Sequence, residues 1–285
     1  MIILGCELYG EILHRIKSFQ GLTLECLHYL HNIYPQFSPR TLWSILSWEH
    51  RERFDGDLRD MQQDSRELLL EYEQRVIDNP TCDFALIVMA MKRRYSPFVL
   101  SRTLLAEKLN VVERKVAIML QNPMNIEDEL LRKNIIKCIE LDIMEGPVAD
   151  DYRNKIGIFF EDMLYHMLKQ AGVQFNTEKD LRRMGYRKTP DAHLLSRCYY
   201  RGERIKWIES KASFGTPFNH SQVMQRQLLA YRNDFGPGIV IYWMGFVDEI
   251  LNEGRKSIHI RYDFPGPQEF NVKNVIRGKS KKDTS

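Results

Sequence analysis

One short stretch of the sequence, residues 204–212, places charged groups on a strand face that should be buried. Ile205 and Trp207 are two residues apart, and Glu209 and Lys211 continue the same spacing. Alternate residues of a β-strand share a face, so the apolar pair indicates that other elements pack there. A carboxylate and an ammonium on such a face cost free energy unless they pair or coordinate a metal ion. A structural ion pair between Glu209 and Lys211 is the simpler explanation, and a metal site is the alternative.

A second carboxylate, that of Asp191, stands at the head of the preceding strand-like segment. Pro190 comes directly before it, and residues 201–202 (Arg-Gly) form a turn between the two segments. A hairpin through this turn folds Asp191 back toward Glu209. With a regular ladder beyond a two-residue turn, however, Asp191 would lie opposite Ala212, too far along the strand to share an ion with Glu209. A β-bulge, or a bend at Pro190, must close this gap.

These residues lie in a segment, residues 146–276, whose pattern predicts a mixed α/β domain. The predicted order is helix, strand, strand, helix, strand, strand, over residues 152–172, 191–200, 204–214, 221–235, 239–246 and 258–264. This order favours a mixed sheet flanked by helices. Residues 238–243 are continuously apolar, as expected for a central strand covered on both faces.

Residues 1–145 are predicted to form an all-helical domain, because apolar residues recur at intervals of three and four. Ser38 and Ser96 each precede a proline, and each can cap a helix that the proline begins. Both helices should follow another helix after a turn, which predicts two helix-turn-helix-like units. Such a unit can present its second helix to DNA, although packing within a helical bundle explains the same pattern. Residues 277–285 are predicted to form a basic flexible tail.

Composition excludes some classes of protein and leaves others open. The formal net charge of +3 does not by itself require a nucleic-acid partner. The five cysteines include no CxxC pair, so neither a zinc module nor a disulfide framework is indicated. The longest apolar run, residues 238–247, is about half of the roughly 20 residues that a membrane-spanning helix needs. We expect no membrane partner and a location in the nucleus and cytoplasm.

Three motifs of the C-terminal half resemble a known enzyme family. They are residues 185–191 (GYRKTPD), residues 207–215 (WIESKASFG) and residues 235–243 (FGPGIVIYW). Pro190 and Asp191 followed by Glu209 and Lys211 resemble the PD-(D/E)xK nucleases, and the longer strings resemble the TPD-motif family within them. The resemblance covers about residues 155–247. It implies a restriction-endonuclease-like mixed sheet and a metal-dependent phosphodiesterase.

The resemblance also implies roles for particular residues. Asp191 and Glu209 are expected to hold Mg²⁺ or Mn²⁺, with the backbone carbonyl of Ser210 completing the inner shell. Lys211 is expected to assist the attacking water. Mg²⁺ prefers oxygen ligands, often one or two carboxylates with water and substrate phosphate, which agrees with this assignment.

Four further positions match the family's pattern less specifically. Glu161 fits the acid that these nucleases often carry on the first core helix, although a solvent-facing glutamate explains it equally well. Gln227 fits a frequent polar helper on the later helix. Lys188 and Arg187 precede Asp191 and are expected to contact the phosphate backbone of a nucleic acid.

The leading hypothesis is therefore a nuclease that hydrolyses phosphodiester bonds of nucleic acid, with DNA as the favoured substrate. The alternative is a non-catalytic adaptor with a nuclease fold, since the resemblance also implies a codanin-like protein partner in chromatin assembly. A DNA-binding regulator built on the helical half ranks third.

Overall fold

The chain divides into two compact units. A computed structural model of the protein describes residues 2–252 and 257–273. One unit is Glu7–Lys155, and the other joins the residues before Glu7 to those from Ile156 onward. The division lies inside a long helix, Pro147–Gln170, and the domain boundary between residues 145 and 146 stays a prediction. The tail predicted over residues 277–285 lies outside the described residues.

The unit Glu7–Lys155 is helical. Its helices are α1 (Cys6–Ser18), α2 (Thr23–Ile33), α3 (Pro39–Gln63), α4 (Ser65–Asp78), α5 (Ala85–Arg93), α6 (Pro97–Leu109), α7 (Glu113–Gln121) and α8 (Glu129–Leu141), with a 3₁₀ turn at Pro123–Asn125, and α9 (Pro147–Gln170) begins within it. Leu86, Leu100 and Ile135 are fully buried in its core. Within the described part of the chain, none of the helices has the length and apolar character needed to cross a membrane.

The two predicted helix starts in this unit are confirmed. Ser38 accepts a hydrogen bond from the N–H of Thr41 at 3.1 Å, and Pro39 begins α3. Ser96 caps α6 in the same way, since its hydroxyl accepts from the N–H of Val99 at 3.1 Å. Contact of these two helix-turn-helix-like segments with DNA stays a prediction.

The second unit contains a mixed sheet flanked by helices, as the sequence predicts. Its strands are β1 (Ile3–Leu4), β2 (Phe175–Thr177), β3 (Ala192–Tyr200), β4 (Glu203–Lys211), β5 (Gly238–Tyr242), β6 (Phe246–Val247), β7 (Ile258–Arg261) and β8 (Phe270–Lys273). Its further helices are α10 (Glu178–Arg183), α11 (Pro217–Val223) and α12 (Leu229–Phe235), with a π-helical turn at Met224–Leu228 and a 3₁₀ turn at Asp248–Leu251.

The main sheet has the order β2-β3-β4-β5-β7, with β8 also paired to β3. The pairs among β2, β3 and β4 are antiparallel, whereas β5 runs parallel to both β4 and β7. The start of the chain departs from the predicted all-helical domain over residues 1–145. Ile3 pairs with Phe246 in a separate two-stranded sheet, because β1 supplies a parallel partner for β6.

The hairpin of β3 and β4 changes register along its length. Near the turn, Cys198 pairs with Ile205, a register that would carry Asp191 to Ala212. Beyond an irregularity between His193 and Cys198, Ala192 pairs with Ile208 instead. The ladder is thereby displaced by three residues, as a large bulge on β3 requires.

Hydrogen bonds with Gln174, the residue that directly precedes β2, hold the bulge in place. The N–H groups of Leu195 and Ser196 donate to the carbonyl oxygen of Gln174 at 2.8 and 3.2 Å. The N–H of Gln174 in turn donates to the Ser196 hydroxyl at 2.9 Å. Bulged residues lose ladder partners, and unpaired backbone groups cost free energy. Gln174 therefore satisfies groups that the irregular register leaves free.

The two faces of the sheet carry separate apolar cores. Ile208 packs with Leu164 of α9 on one face, whereas Trp207 packs with Tyr231 of α12 on the other. The prediction that Ile205 shares a face with Trp207 is wrong, because Ile205 belongs to the core of Ile208. The register change opposite this part of β4 breaks the regular alternation on which that prediction relied.

Trp207 fixes the contact between β4 and the beginning of β5. Its ring is fully buried, and its Nε1–H donates to the carbonyl oxygen of Gly236 at 2.8 Å. A Cβ atom at Gly238 would lie 2.1 Å from Cδ2 of this ring. Only glycine therefore fits at this position.

We expect Gly238→Ala to destabilise the protein by about 2–3 kcal/mol, because the added methyl group must push the indole or the strand aside. Urea unfolding gives the free energy. Gly157→Ala is the matched control, since a Cβ there meets open space in α9 and alanine should stabilise a helix by about 0.5–1 kcal/mol. Equal stability of the Gly238→Ala variant and the parent would contradict the close packing.

Candidate active site

The displaced register brings Asp191 beside Glu209 and Ser210. The N–H of Ser210 donates to Oδ2 of Asp191 at 2.7 Å. The N–H of Asp191 donates to Oε2 of Glu209 at 3.2 Å. Each carboxylate is thus held by the backbone of the other strand. The gap that a regular hairpin would leave is closed by the bulge.

The two acids stand in an unfavourable electrostatic environment. The Glu209 residue is 3% exposed. Burial, followed by the negative charge of Glu209, raises the pKa of Asp191 well above its ordinary value of 3.8. The hydrogen bond from Ser210 and the charge of Lys211 oppose this rise in pKa, and the charge of Glu161 adds to it. Like charges this close disfavour the doubly ionised state unless a cation neutralises them.

Lys211 links the acids to the helix that follows β4. Its Nζ donates to Oε1 of Glu209 and to Oε1 of Gln227, both at 2.6 Å. Gln227 lies in the π-helical turn, and such turns occur frequently at functional sites. The ion pair that offered the simpler explanation of Glu209 and Lys211 is therefore present. Asp191 adds a third charged group that an isolated ion pair does not require.

Ser210 contributes its backbone to the site and its side chain to the opposite face. Its N–H points at Asp191, and in an extended strand the carbonyl of the same residue lies on the same side. Its hydroxyl accepts a hydrogen bond from Nε1 of Trp243 at 2.8 Å. The Trp243 ring stacks on Phe160 of α9, with centroids 5.4 Å apart.

The oxygen atoms of Asp191, Glu209 and the Ser210 carbonyl are suitable ligands for a hard divalent cation. Two carboxylates and one backbone carbonyl supply only oxygen, which Mg²⁺ and Mn²⁺ favour over nitrogen and sulfur. The raised pKa of Asp191 marks a place where added positive charge would be stabilising. Across residues 2–252 and 257–273, no group of three or more His, Cys, Asp or Glu side chains is spaced to hold a metal ion. Water and substrate would have to complete the coordination.

Glu161 approaches the site through a tyrosine. The Tyr165 hydroxyl lies 2.5 Å from Oε1 of Glu161 and 3.1 Å from the carbonyl oxygen of Asp191. Burial and the hydrogen bond to Glu161 raise the pKa of Tyr165, so the hydroxyl remains a neutral donor. Glu161 is thus tied to the site by a hydrogen-bonded side chain and does not simply face solvent.

Arg187 and Lys188 lie on the segment that leads from α10 to Asp191. Both side chains are exposed. The next residue, Thr189, is buried, and its carbonyl oxygen accepts from the Tyr231 hydroxyl at 2.9 Å. The segment is therefore anchored at its end, while its two cations remain open to solvent.

Tyr165 and Tyr231 form hydrogen bonds at the site that the sequence did not lead us to predict. Each lies four residues after a predicted site residue, Tyr165 after Glu161 and Tyr231 after Gln227. Residues four apart on a helix share a face. That spacing is the signal by which both tyrosines could have been found.

The crowding of the two acids predicts that Asp191→Asn stabilises the protein in EDTA, by on the order of 1 kcal/mol at neutral pH. The folded-state pKa of Asp191 exceeds its ordinary value of 3.8, so the folded state holds that proton more tightly. The stability that the folded state gains by holding this proton is fully present below pH 3.8, and it is lost as the pH rises through the folded-state pKa of Asp191. The stability difference between variant and parent should therefore grow with pH.

Urea unfolding at a series of pH values measures this difference. The control is Asp162→Asn, which removes an exposed acid on α9 and should change stability by less than about 0.5 kcal/mol. A parent that is more stable than the Asp191→Asn variant at neutral pH in EDTA would contradict the crowding.

Comparisons with known proteins agree with the position of these motifs. The sequence model of the family described as "Protein of unknown function TPD sequence-motif" matches residues 127–264 of this chain. CDAN1-interacting nuclease 1 of Danio rerio is 34% identical over 252 residues, which cover 85% of this chain and 83% of the relative. The proteins of that name from Mus musculus and Homo sapiens are 32% identical over 273 residues, covering 93% of this chain and 96% of each relative. No solved structure matches the chain. Because the identity extends over most of both sequences, this protein belongs to the family of the CDAN1-interacting nuclease 1 proteins.

Proposed function

We propose that this protein is a divalent-metal-dependent nuclease of the PD-(D/E)xK type, with a restriction-endonuclease-like sheet and DNA as its substrate. The observation that carries the proposal is the register change that sets the carboxylate of Asp191 against the N–H of Ser210 and beside Glu209. An ion pair alone needs no such displacement. The name of the relatives, CDAN1-interacting nuclease 1, supports the same activity.

Asp191, Glu209 and the carbonyl of Ser210 would hold Mg²⁺ or Mn²⁺. A bound ion of this kind lowers the pKa of its water and screens charge on the scissile phosphate. Glu209 accepts from Lys211, so the ammonium stays within reach of the group that attacks phosphorus. Gln227 holds the same ammonium from the helix side, which fixes its direction. Lys211 would thus orient the attacking water and stabilise negative charge in the transition state.

The remaining predicted residues would act around this centre. Glu161 would position Asp191 through Tyr165, since the tyrosine hydroxyl contacts both residues. Arg187 and Lys188 would contact the phosphates that lead to the site. We propose that the helical unit helps to hold DNA or a protein partner. CDAN1 is the partner we propose, because the relatives' name states this interaction.

The proposal predicts cleavage of DNA in Mg²⁺ or Mn²⁺ that depends on the three central side chains. Asp191→Asn, Glu209→Gln and Lys211→Met should each lower the single-turnover rate by on the order of 100-fold or more, as expected when a group that stabilises the transition state is lost. Gel-resolved cleavage of labelled linear and branched DNA measures the rate. The control Asp162→Asn should cleave at the rate of the parent.

Cleavage that survives loss of both acids would overturn the assignment. Calorimetry with Mn²⁺ distinguishes the nuclease from the adaptor alternative. The adaptor would keep the fold and the CDAN1 interaction but would not catalyse cleavage. Absence of metal binding at millimolar ion, together with absence of cleavage, would favour the adaptor.

The exposed cation Lys188 predicts a change in the salt dependence of DNA binding. Lys188→Ala should lower the slope of log affinity against log salt by about one, because one phosphate contact and its counterion release are lost. Fluorescence anisotropy at a series of salt concentrations measures the slope. Lys169→Ala, which removes an exposed lysine near the end of α9, should leave it unchanged. An unchanged slope for the Lys188→Ala variant would exclude the phosphate contact.

A further inference from the structure

Three aromatic rings, those of Tyr186, His193 and Phe235, lie together beside the segment that leads to Asp191. Phe235, the last residue of α12, has its ring centroid 5.2 Å from that of Tyr186 and 4.9 Å from that of His193. The rings are tilted by 37° and 44° from parallel. Tyr186 is 43% exposed, so one ring of this aromatic cluster is open to solvent.

One stripe of the π-helical turn and α12 connects the aromatic cluster to the charged centre. Gln227, Tyr231 and Phe235 follow one another at intervals of four residues, which places them on one helix face. Gln227 accepts from Lys211, Tyr231 donates to the carbonyl oxygen of Thr189, and Phe235 contacts His193. Eight residues of helix advance by about 12 Å.

Strand β3 gives a second connection. His193 pairs with Trp207 in the register that brings Asp191 beside Glu209. His193 and Asp191 are two residues apart, so they share a face of the strand. The aromatic cluster and the acids are therefore held on one surface by both a strand and a helix.

Charge and an unsatisfied polar atom adjoin the aromatic cluster. Arg187 and Lys188 follow Tyr186 directly and are exposed. Nδ1 of His193 is buried and has no hydrogen-bond partner among the residues that the structure describes. Such atoms are uncommon in folded proteins and call for a functional or structural reason. A ligand with a planar aromatic group and a negatively charged backbone matches both the rings and the cations.

We propose that the aromatic cluster is a stacking platform for an unpaired nucleobase close to the bond that is cut. This inference rests on the proposed nuclease activity and specifies its substrate class, a nucleic acid with a single-stranded segment at the site. Inside a duplex, neighbouring base pairs cover both faces of a base. An unpaired base can instead stack on an exposed tyrosine ring while the cations follow its phosphates.

Binding of short oligonucleotides in EDTA tests the platform without cleavage. Tyr186→Ala should weaken binding of a single strand by roughly tenfold, the usual effect of losing one stacked aromatic ring. Tyr186→Phe keeps the ring and should retain affinity within about twofold, as for a neutral surface change. Met184→Ala, the control, removes a side chain that is 59% exposed from the same segment without removing a ring. It should also retain affinity within about twofold.

Further readouts distinguish stacking from a general loss of affinity. Quenching of 2-aminopurine fluorescence on binding should disappear in the Tyr186→Ala variant, and its salt slope should stay that of the parent because no phosphate contact is lost. Affinity for blunt duplex should be unchanged. Equal losses for single strand and duplex, or no loss for either, would overturn the proposal. Unchanged binding of both DNA forms with weakened binding of CDAN1 would instead assign the aromatic cluster to the protein partner.

An abasic scan in Mn²⁺ then locates the platform relative to the cut. The helix advance of about 12 Å equals roughly three to four stacked nucleotide spacings of 3.4 Å. An abasic site on the order of three nucleotides from the cleaved bond should slow cleavage by the parent and have no effect on the Tyr186→Ala variant. A uniform response at all positions would contradict the platform. Absence of any cleavage would count against the nuclease assignment, while the EDTA measurements would still decide on the platform.

Discussion

The change of register in the hairpin of β3 and β4 is the constraint on which the site depends. A regular ladder from the turn would leave Asp191 opposite Ala212, whereas the bulge brings it within hydrogen-bond distance of Ser210 and Glu209. Bulges occur often beside active sites because they redirect a side chain without unfolding the strand. Here the disruption is local, since Gln174 accepts the N–H groups of the bulged residues. The irregularity is thus supported by its own hydrogen bonds.

The same displacement creates an electrostatic cost within the folded chain. Burial and the charge of Glu209 raise the pKa of Asp191, while the N–H of Ser210 and the charge of Lys211 oppose that rise. Lys211 is shared with Gln227, so its single positive charge serves as a partner on two sides. A fold selected only for stability would gain by replacing such a cluster with apolar residues. The proposed metal-dependent cleavage of a phosphodiester would need this concentration of charge.

Much of this arrangement could be predicted from the sequence, and the failures have physical causes. Glu209 and Lys211 follow from strand alternation, and the helix starts at Pro39 and Pro97 follow from local capping. The side chain of Ile205 was assigned to the wrong face, because alternation holds only while the ladder is regular. The spacing of Asp191 and Glu209 required a β-bulge or a bend at Pro190, but it could not decide between them, because the bulge depends on hydrogen bonds with Gln174, far from the turn. Tertiary hydrogen bonds of this kind leave no periodic pattern in the sequence.

The helix that follows β4 connects the charged centre to the aromatic cluster. Its π-helical turn presents Gln227 to Lys211, and one turn further Tyr231 anchors the segment before Asp191. Phe235 ends the same face against the aromatic cluster. A shift of this helix along its axis would therefore move the lysine's partner, the Asp191 segment and the rings together. Contacts at the aromatic cluster and at the acids are made by the same helix, so in the proposed nuclease binding energy gained at the rings would help to hold the phosphodiester in place at the acids.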